Sequence, residues 1–366
     1  MNTQLRQKRV QEPFLRIASK NEMSAQAAVL LRLGVFLLSL AAGGLFLLAV
    51  GYNPFEIYGA ILDGSFRSAM AIQATVKVAV PLVISALAAT LAFKMRFWNI
   101  GVEGQIIIGA VFTTFFALFY PHWNHWVLVI VMFIAGALGG GLWGLIPAWF
   151  KTRYGTNETL LTLMLNYIAL HMVALLRDGP WRDRSSQGYS AIARFGDNAA
   201  LDKVFGVHFG WIIALLLVAL IYVYLGYTKQ GYEISVVGES QDTARYAGMD
   251  VKKIVLRTMF LSGAVAGIGG TVQAAGADVT LTTSVAGGVG FTGIIIAWLS
   301  RLNAAMILVI SCLFAILEKG FSVVQSDFGL STDSADILQG IILFFVLGCE
   351  FFIRYKFVLR KKRGVS

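Results

Sequence analysis

Long apolar runs separated by short polar segments fill most of this 366-residue sequence. A helix needs about 20 mostly apolar residues to cross the ~30 Å hydrocarbon core of a bilayer. Hydrophobic residues make up 57% of the chain and charged residues only 14%, whereas soluble domains average roughly 45–50% and 25%. The sequence therefore predicts an all-α fold, a polytopic helical bundle in a membrane.

Apolar content places ten candidate membrane elements along the chain. They lie near residues 28–52, 69–93, 100–119, 126–149, 157–176, 209–227, 255–275, 287–300, 303–324 and 336–353. The eighth is too short to cross fully and begins in a glycine-rich stretch, which indicates a broken or re-entrant segment. We expect three parts: an N-terminal segment 1–27, a transmembrane domain 28–353 and a basic tail 354–366.

The positions of Lys and Arg predict the orientation of these elements, because short cytoplasmic loops carry an excess of both residues. If the N-terminus is cytoplasmic, 22 Lys and Arg residues fall on the inner side and six on the outer side. Both termini are therefore predicted to be cytoplasmic. Membrane topology thus explains the net charge of +10, and a nucleic-acid-binding face is not needed to account for it.

Motifs for catalysis, metal binding and nucleotide binding are missing from the sequence. It contains no GxxxxGK[ST] loop to cradle ATP phosphates and no GxSxG or HExxH pattern that would support a membrane enzyme. Cys312 and Cys349 lie in apolar stretches, and the four His residues are scattered. We expect no enzymatic activity, metal site or cofactor in this chain, so that any energy from ATP must come from a partner.

Asn99, Glu103 and Gln105 form the first of three polar clusters, in the segment NIGVEGQ at the start of the third element. Gly101 and Gly104 allow the backbone there to depart from a regular helix. Polar and irregular backbone within a membrane is tolerated only against protein or a water-filled cavity. The cluster fits the lining of a substrate pathway and, equally well, a helix N-cap arrangement.

Glu158, Thr162 and Asn166 form the second cluster and recur at i, i+4 and i+8, on one face of the fifth element. A polar stripe is costly against lipid, so this face is predicted to point into the bundle. It either lines the pathway or joins neighbouring helices by hydrogen bonds. Asn157 and Glu158 are also suitable as helix caps.

The third cluster is GGVGFTGIIIAWLSRLN, residues 287–303, where four glycines surround Phe291 and Thr292. Short glycine-interrupted spans point to the substrate pathway of transporters, so Phe291 and Thr292 are candidates to line it. The alternative is close packing of helices through small residues. That explanation also fits five glycines elsewhere: Gly136, Gly140, Gly144, Gly263 and Gly267.

Residues 228–254 form the longest predicted cytoplasmic segment between two elements. Within it, residues 241–246 are compatible with a short helix. An ordinary solvated loop is one interpretation, and a surface that receives mechanical work from another protein is the other, because the segment has charged and apolar sides. The candidate contact residues are Gly238, Glu239, Asp242, Arg245, Tyr246 and Gly248.

Four motifs occur in an order that is similar to one known family. They are KVAVPLVISALAATLAFKMRFWNIGVEGQIIIGA, NETLLTLMLNYIA, VVGESQDTARYAGMDV and GGVGFTGIIIAWLSRLN. Together they resemble the permease subunits of bacterial ABC importers for nucleosides and simple sugars, allied to the ribose and branched-chain amino-acid permeases. The chain departs from the family pattern at Trp298, Ser300 and Ala304, where the family commonly has a smaller residue, Gly and Pro.

The resemblance implies a permease domain that pairs with a second permease, the same or homologous, in the bacterial inner membrane. It implies cytoplasmic ABC ATPase subunits, which would bind ATP and Mg and dock on residues 236–250, and an external substrate-binding protein. Nucleosides are the expected substrates, moved by alternating access. Simple sugars and riboflavin-like compounds are alternative substrates, since the bulk of Trp298 changes a pathway. An ion-coupled secondary transporter that uses Glu158, Lys77 or Glu318 is the alternative mechanism.

The charge pattern predicts which side of the membrane exposes two serines. In a chain without Cys312 and Cys349, we expect Ser190→Cys to react with a membrane-impermeant maleimide from outside intact cells. Ser240→Cys is expected to react only after the cytoplasmic side is opened. Labelling of Ser190→Cys only from the cytoplasm, or of Ser240→Cys only from outside, would contradict the topology.

Overall fold

The computed structural model describes residues 15–19, 25–183, 186 and 190–359. In chain order the elements are β1 Leu15–Ser19, α1 Ala25–Val50, α2 Pro54–Phe66, α3 Ala69–Lys94, α4 Val102–Phe119, α5 His125–Tyr154, α6 Glu158–Asp178, β2 Lys203–Val204, β3 Val207–His208, α7 Gly210–Tyr227, α8 Lys229–Glu239, α9 Gln241–Tyr246, α10 Val251–Val272, α11 Val289–Leu299, α12 Ala304–Phe328, α13 Thr332–Arg354 and β4 Tyr355–Leu359. A single 3-10 turn, Asp197–Ala199, and a π-helical end of α10, Gln273–Asp278, complete the list. The predicted all-α membrane bundle is confirmed.

Seven helices in the described part of the chain are long and apolar enough to cross a membrane: α3, α4, α5, α6, α7, α10 with its π-helical end, and α12. The helices over residues 34–50 and 54–66 add an eighth span if the two together are regarded as one broken span, with a bend of 113° between them. The predicted count of ten is therefore higher than the structure shows. Residues 287–300 contain only the 11-residue α11, because Gly287 and Gly288 adopt left-handed φ angles, so that the helix begins only at Val289.

The chain forms two compact units, residues 1–60 with 324–366 and residues 61–323. In the first unit α1 packs against α13, and β1 pairs antiparallel with β4, with Leu15 opposite Leu359. The strands precede and follow the two helices, so the chain enters and leaves this helix pair at one end. The rest of the predicted segment 1–27 and of the tail 354–366 lies largely outside the described residues.

α10 is the central helix of the second unit and contacts α3, α4 and α5. Its backbone approaches α5 closely because glycines face each other: a Cβ added to Gly140 or Gly267 would collide with the backbone of the opposite helix. A Cβ on Gly109 of α4 would collide with Gly267 in the same way. Close backbone contact of this kind stabilises the packing of membrane helices through van der Waals interactions. The packing role predicted for the glycines of α5 and α10 is confirmed.

α8 and α9 form a short layer against the ends of α3 and α10. Their apolar sides close a cluster of buried residues: Ala92, Met95, Phe97, Ala148, Ile234, Val237, Ala244, Val251, Ile254, Val255 and Met259. An ion pair of 3.0 Å between Arg257 and Glu233 also joins α10 to α8. The predicted short helix at 241–246 is α9, and the Ser240 side chain caps it by accepting from the Thr243 N–H. This layer is therefore anchored to the bundle.

The segment 279–288 connects the π-helical end of α10 to α11 without helix or strand. Leu281, Val285 and Ala286 are buried within it. α11 then packs mainly against α3 and also contacts α4. An irregular segment thus leads into a helix of half the spanning length that begins inside the bundle. Its first backbone N–H groups need partners that lipid cannot supply.

Candidate functional site

Residues 95–101 form an irregular link between α3 and α4, and two buried amides fix its end. The Asn99 Nδ2 donates to the Gln105 Oε1 at 3.2 Å, and the Gln105 Nε2 donates to the Asn99 Oδ1 at 3.3 Å. The same Asn99 Oδ1 accepts from the Gly101 N–H at 3.0 Å. Asn99 also donates to the Ser262 hydroxyl of α10 at 3.4 Å. The pair therefore ties the start of α4 to the central helix.

The polar stripe of α6 faces this link and satisfies its backbone. The Asn166 Oδ1 accepts from the Gly104 N–H at 2.8 Å, while its Nδ2 donates to the Ile100 carbonyl at 2.9 Å. The Thr162 hydroxyl accepts from the Ile100 N–H at 3.2 Å and donates to the Glu158 carbonyl at 2.7 Å. Thr162 and Asn166 are buried. Their side chains therefore join α6 to the irregular start of α4, and whether they also line a pathway stays a prediction.

Glu103 bonds to the N-terminus of α11, whereas the sequence interpretations placed it only in a pathway lining with Phe291 and Thr292 or at the start of its own helix. Its Oε1 accepts from the Gly288 N–H and its Oε2 from the Gly290 N–H, both at 2.7 Å. These two groups are among those that α11 leaves without partners at its N-terminus. Glu103 is only 9% exposed, and its carboxylate lies at the positive end of the helix dipole. Gly290 is required at this contact, because a Cβ there would meet the Glu103 backbone.

Phe291 and Thr292 lie on the first turn of α11. The Thr292 hydroxyl is half-buried and donates to the Gly288 carbonyl at 3.4 Å. The Phe291 ring is 42% exposed. Glu103 therefore binds the start of α11, and the Phe291 ring on its first turn is available for contact. Both residues follow the glycines that bond to Glu103, and whether they line a pathway together with it stays a prediction.

Trp298 stacks on an aromatic residue that the sequence candidates did not include. Its ring lies 5.6 Å from the Trp98 ring with an interplanar angle of 25°, and 5.5 Å from the Phe93 ring. Trp98 is 49% exposed, whereas Phe93 is buried. The bulk that departs from the family pattern is thus accommodated between α3, the 95–101 link and the end of α11. A tryptophan directly before NIGVEGQ and another in the third cluster were the available signals.

The three residues considered for an ion site have different surroundings. The Glu158 carboxylate pairs with the Lys151 ammonium at 2.7 Å. Lys77 lies near His208, whose pKa is lowered to about 4 by burial and by the Lys77 charge, so this imidazole is neutral at pH 7. Glu318 lies on an exposed position of α12. In the described ranges, no group of three or more His, Cys, Asp or Glu side chains could hold a metal ion.

The charged side of α9 faces away from the bundle. Ala244 is completely buried, whereas Tyr246 is 94% exposed. Arg245 and Asp242 form an exposed ion pair of 3.2 Å, three residues apart on the same short helix. Exposed pairs contribute little to stability. These side chains therefore contribute little to the stability of the fold and are accessible to another protein.

The glycines on either side of α9 have different roles. A Cβ on Gly238 would collide with the Lys94 carbonyl at the end of α3, so Gly238 allows α8 to approach α3. Gly248 has a φ of 76° and reverses the chain towards α10. Glu239 is exposed at the end of α8. Five of the six predicted contact residues are therefore exposed around α9, whereas Gly238 is buried against α3. Their contact with a partner stays a prediction.

Known proteins with similar sequences are permeases of transport systems. Residues 71–347 match the family described as branched-chain amino acid transport system / permease component. The glucose ABC transporter permease protein TsgB13 of Haloferax volcanii is 32% identical over 87% of this chain and 87% of its own length. The guanosine ABC transporter permease protein NupP of Bacillus subtilis is 31% identical over 92% and 98%. The nucleoside ABC transporter permease protein NupB of Lactococcus lactis is 29% identical over 83% and 86%.

The bonds between Glu103 and α11 predict a large effect on stability. We expect Glu103→Ala to lower the free energy of unfolding in detergent by about 3 kcal/mol or more, because two charge-assisted hydrogen bonds are lost in the interior. Glu103→Gln should cost roughly half as much, since one amide oxygen can still accept. Glu239→Ala removes an exposed carboxylate and serves as the control, with a change within about 0.5 kcal/mol. Wild-type stability of Glu103→Ala would contradict the assignment.

Proposed function

This chain belongs to the branched-chain amino acid transport system permease family, and from that premise we propose that it is the permease subunit of an ATP-driven importer of nucleosides. The observation that carries the proposal is similarity over nearly the whole chain to two nucleoside permeases, NupP and NupB. The family match over residues 71–347 includes every candidate pathway and contact residue. Import of simple sugars is the second candidate, because the glucose permease TsgB13 is equally similar.

A nucleoside combines an aromatic base with a hydroxylated sugar, and this chain offers groups for both. Phe291 presents an exposed ring on the first turn of α11, and aromatic rings stack favourably on a base. The neighbouring Thr292 hydroxyl supplies a polar group. The backbone N–H groups that could attract an anion at this helix end are already bonded to Glu103. This occupancy favours a neutral substrate over a phosphorylated one.

In the proposed mechanism, the chain supplies a route and a contact surface but no covalent chemistry. A second permease completes the path, cytoplasmic ABC ATPase subunits bind ATP and Mg, and an external binding protein delivers the substrate. The complex lies in the bacterial inner membrane with both termini of this chain in the cytoplasm. ATP-driven closure of the ATPase subunits then moves the docked helices and switches access from outside to inside.

Contacts between described residues support a route from α9 to α11. α9 shares a buried cluster with the 95–101 link and α10. Asn99 and Asn166 fix the end of that link and the start of α4, and Glu103 joins α4 to α11. We infer that α4, α6 and α11 move as one group when the ATPase acts on α9. The route is a chain of physical contacts, which energetic coupling between the two ends would require.

Uptake by a reconstituted complex tests the proposed function. Proteoliposomes with this chain, its second permease, the ATPase subunits and the external binding protein should accumulate radiolabelled guanosine only when ATP reaches the ATPase side. Excess unlabelled adenosine or uridine is the competitor, and excess glucose tests the sugar alternative. Accumulation of radiolabelled glucose without accumulation of guanosine would transfer the substrate assignment to sugars. Uptake driven by a proton or sodium gradient without ATP would contradict an ATP-driven importer.

The exposed side of α9 predicts a specific loss of coupling. We expect Arg245→Ala with Tyr246→Ala to reduce guanosine uptake by about tenfold or more, since an interface often depends on a few aromatic and Arg side chains. ATPase association should fall, or ATP hydrolysis should continue without uptake. The control is Lys229→Ala with Tyr232→Ala, which likewise removes one basic residue and one tyrosine, here from exposed positions of α8. Normal uptake and association in the α9 variant would show that α9 does not couple.

A further inference from the structure

A cleft of about 190 Å³ opens beside α9, at the end of the bundle that is predicted to face the cytoplasm. Its walls come from the 95–101 link, the end of α5, the start of α6, α9 and the start of α10. The lining residues are Met95, Arg96, Phe97, Lys151, Thr152, Glu158, Gln241, Arg245, Val251, Lys252 and Val255. Five parts of the chain therefore meet around one cavity, and four of them, all but α5, belong to the proposed mechanism.

The cleft has an excess of positive charge. Four of its lining residues are cationic and only Glu158 is anionic. Lys151 is neutralised by Glu158 at 2.7 Å. Arg96 and Lys252 are exposed, and no ion pair joins either of them to a carboxylate in the part of the chain that the structure describes. An anionic group that enters the cleft would thus meet cations from both the 95–101 link and α10.

Arg96 is held towards this cleft by an unusual backbone conformation. Its φ is 56°, in the left-handed region that residues other than glycine seldom adopt. The neighbouring Met95 and Phe97 are buried in the apolar cluster, whereas Arg96 itself is exposed. The conformation therefore directs two apolar side chains inwards and the guanidinium outwards. Such strain persists where the surrounding structure fixes it, which is common at functional positions.

We propose that this cleft receives a carboxylate side chain of the ATPase subunit that docks on α9. The inference rests on the proposed function and adds a second point of attachment to it. The volume is below the ~300 Å³ at which small-molecule pockets begin, so it suits one acidic side chain better than a nucleotide. A guanidinium binds carboxylates through two parallel hydrogen bonds. A protein that covers the exposed Tyr246 of α9 also lies next to the cleft.

An occupied cleft would connect the docking surface directly to the polar site. A carboxylate between Arg96 and Lys252 would join the 95–101 link to α10, beside the Lys151–Glu158 pair. Glu158 begins α6, the helix whose Thr162 and Asn166 hold the start of α4. Attachment at the cleft would therefore act on the same group of helices as α9 does. The chain then has two contacts for the ATPase, one aromatic and one electrostatic.

Removal of the two unpaired cations tests the proposal. In nanodiscs of neutral lipid, Arg96→Gln with Lys252→Gln should weaken binding of the purified ATPase subunit by roughly tenfold at low salt, the scale of losing a close charge pair. The salt dependence of binding should also become shallower. Lys252→Gln alone leaves the Arg96 backbone unchanged and should give a smaller loss in the same direction, which separates the electrostatic effect from misfolding.

The control removes equal charge from the same face outside the cleft, by Arg153→Gln with Lys229→Gln, and should change affinity by only about twofold. Equal losses in the control and cleft variants, or no loss in the cleft variants, would overturn the proposal. Normal ATPase binding together with reduced association with phosphatidylglycerol vesicles would assign the cleft to a lipid headgroup and also overturn it. If the wild-type chain binds no ATPase subunit, the proposed function itself fails.

Discussion

A helix that begins inside a membrane leaves its first backbone N–H groups without the water that would otherwise bond to them. α11 is such a helix, since it has 11 residues and follows an irregular buried segment. The structure meets this requirement with the carboxylate of Glu103, which accepts from Gly288 and Gly290 at 2.7 Å. The carboxylate in turn avoids the cost of an unpaired charge in the interior. The Glu103 carboxylate and the two N–H groups thus satisfy each other. The arrangement of α4 against α11 depends on this contact.

The same requirement explains the other buried polar residues. The 95–101 link is also irregular backbone, and its Ile100 and Gly104 groups bond to Thr162 and Asn166 of α6. Asn99 then ties the link to α10 through Ser262. These side chains provide hydrogen-bond partners for the backbone at two places where the chain is not a regular spanning helix, the 95–101 link and the start of α11. The polar residues that a lipid-facing helix could not carry therefore hold the candidate pathway together.

The sequence predicted the fold class, most helices and the short α9, because apolar runs and helix caps are local signals. It also identified Glu103 and Asn166 as candidate site residues, since polar residues in apolar spans are few. It could not predict the partner of Glu103, because Gly288 lies 185 residues away and no spacing rule relates them. The count of ten elements exceeds the seven or eight spans of the described chain. One of the surplus elements is residues 287–300, whose shortness and glycines already indicated a broken segment. α2 was missed because its sequence, PFEIYGAILDGSF, is not apolar enough to stand out.

We expect Glu103 to hold the start of α11 throughout transport, and hydrogen exchange measures this directly. In the reconstituted complex, we expect the amides of residues 286–293 to be protected in both the nucleotide-free and the ATP-bound states, because the Gly288 and Gly290 N–H groups remain bonded. Glu103→Ala should remove that protection, while the amides of α5 exchange as in the wild type. Rapid exchange of this segment in the wild-type chain, or equal protection in Glu103→Ala, would show that Glu103 does not hold the start of α11.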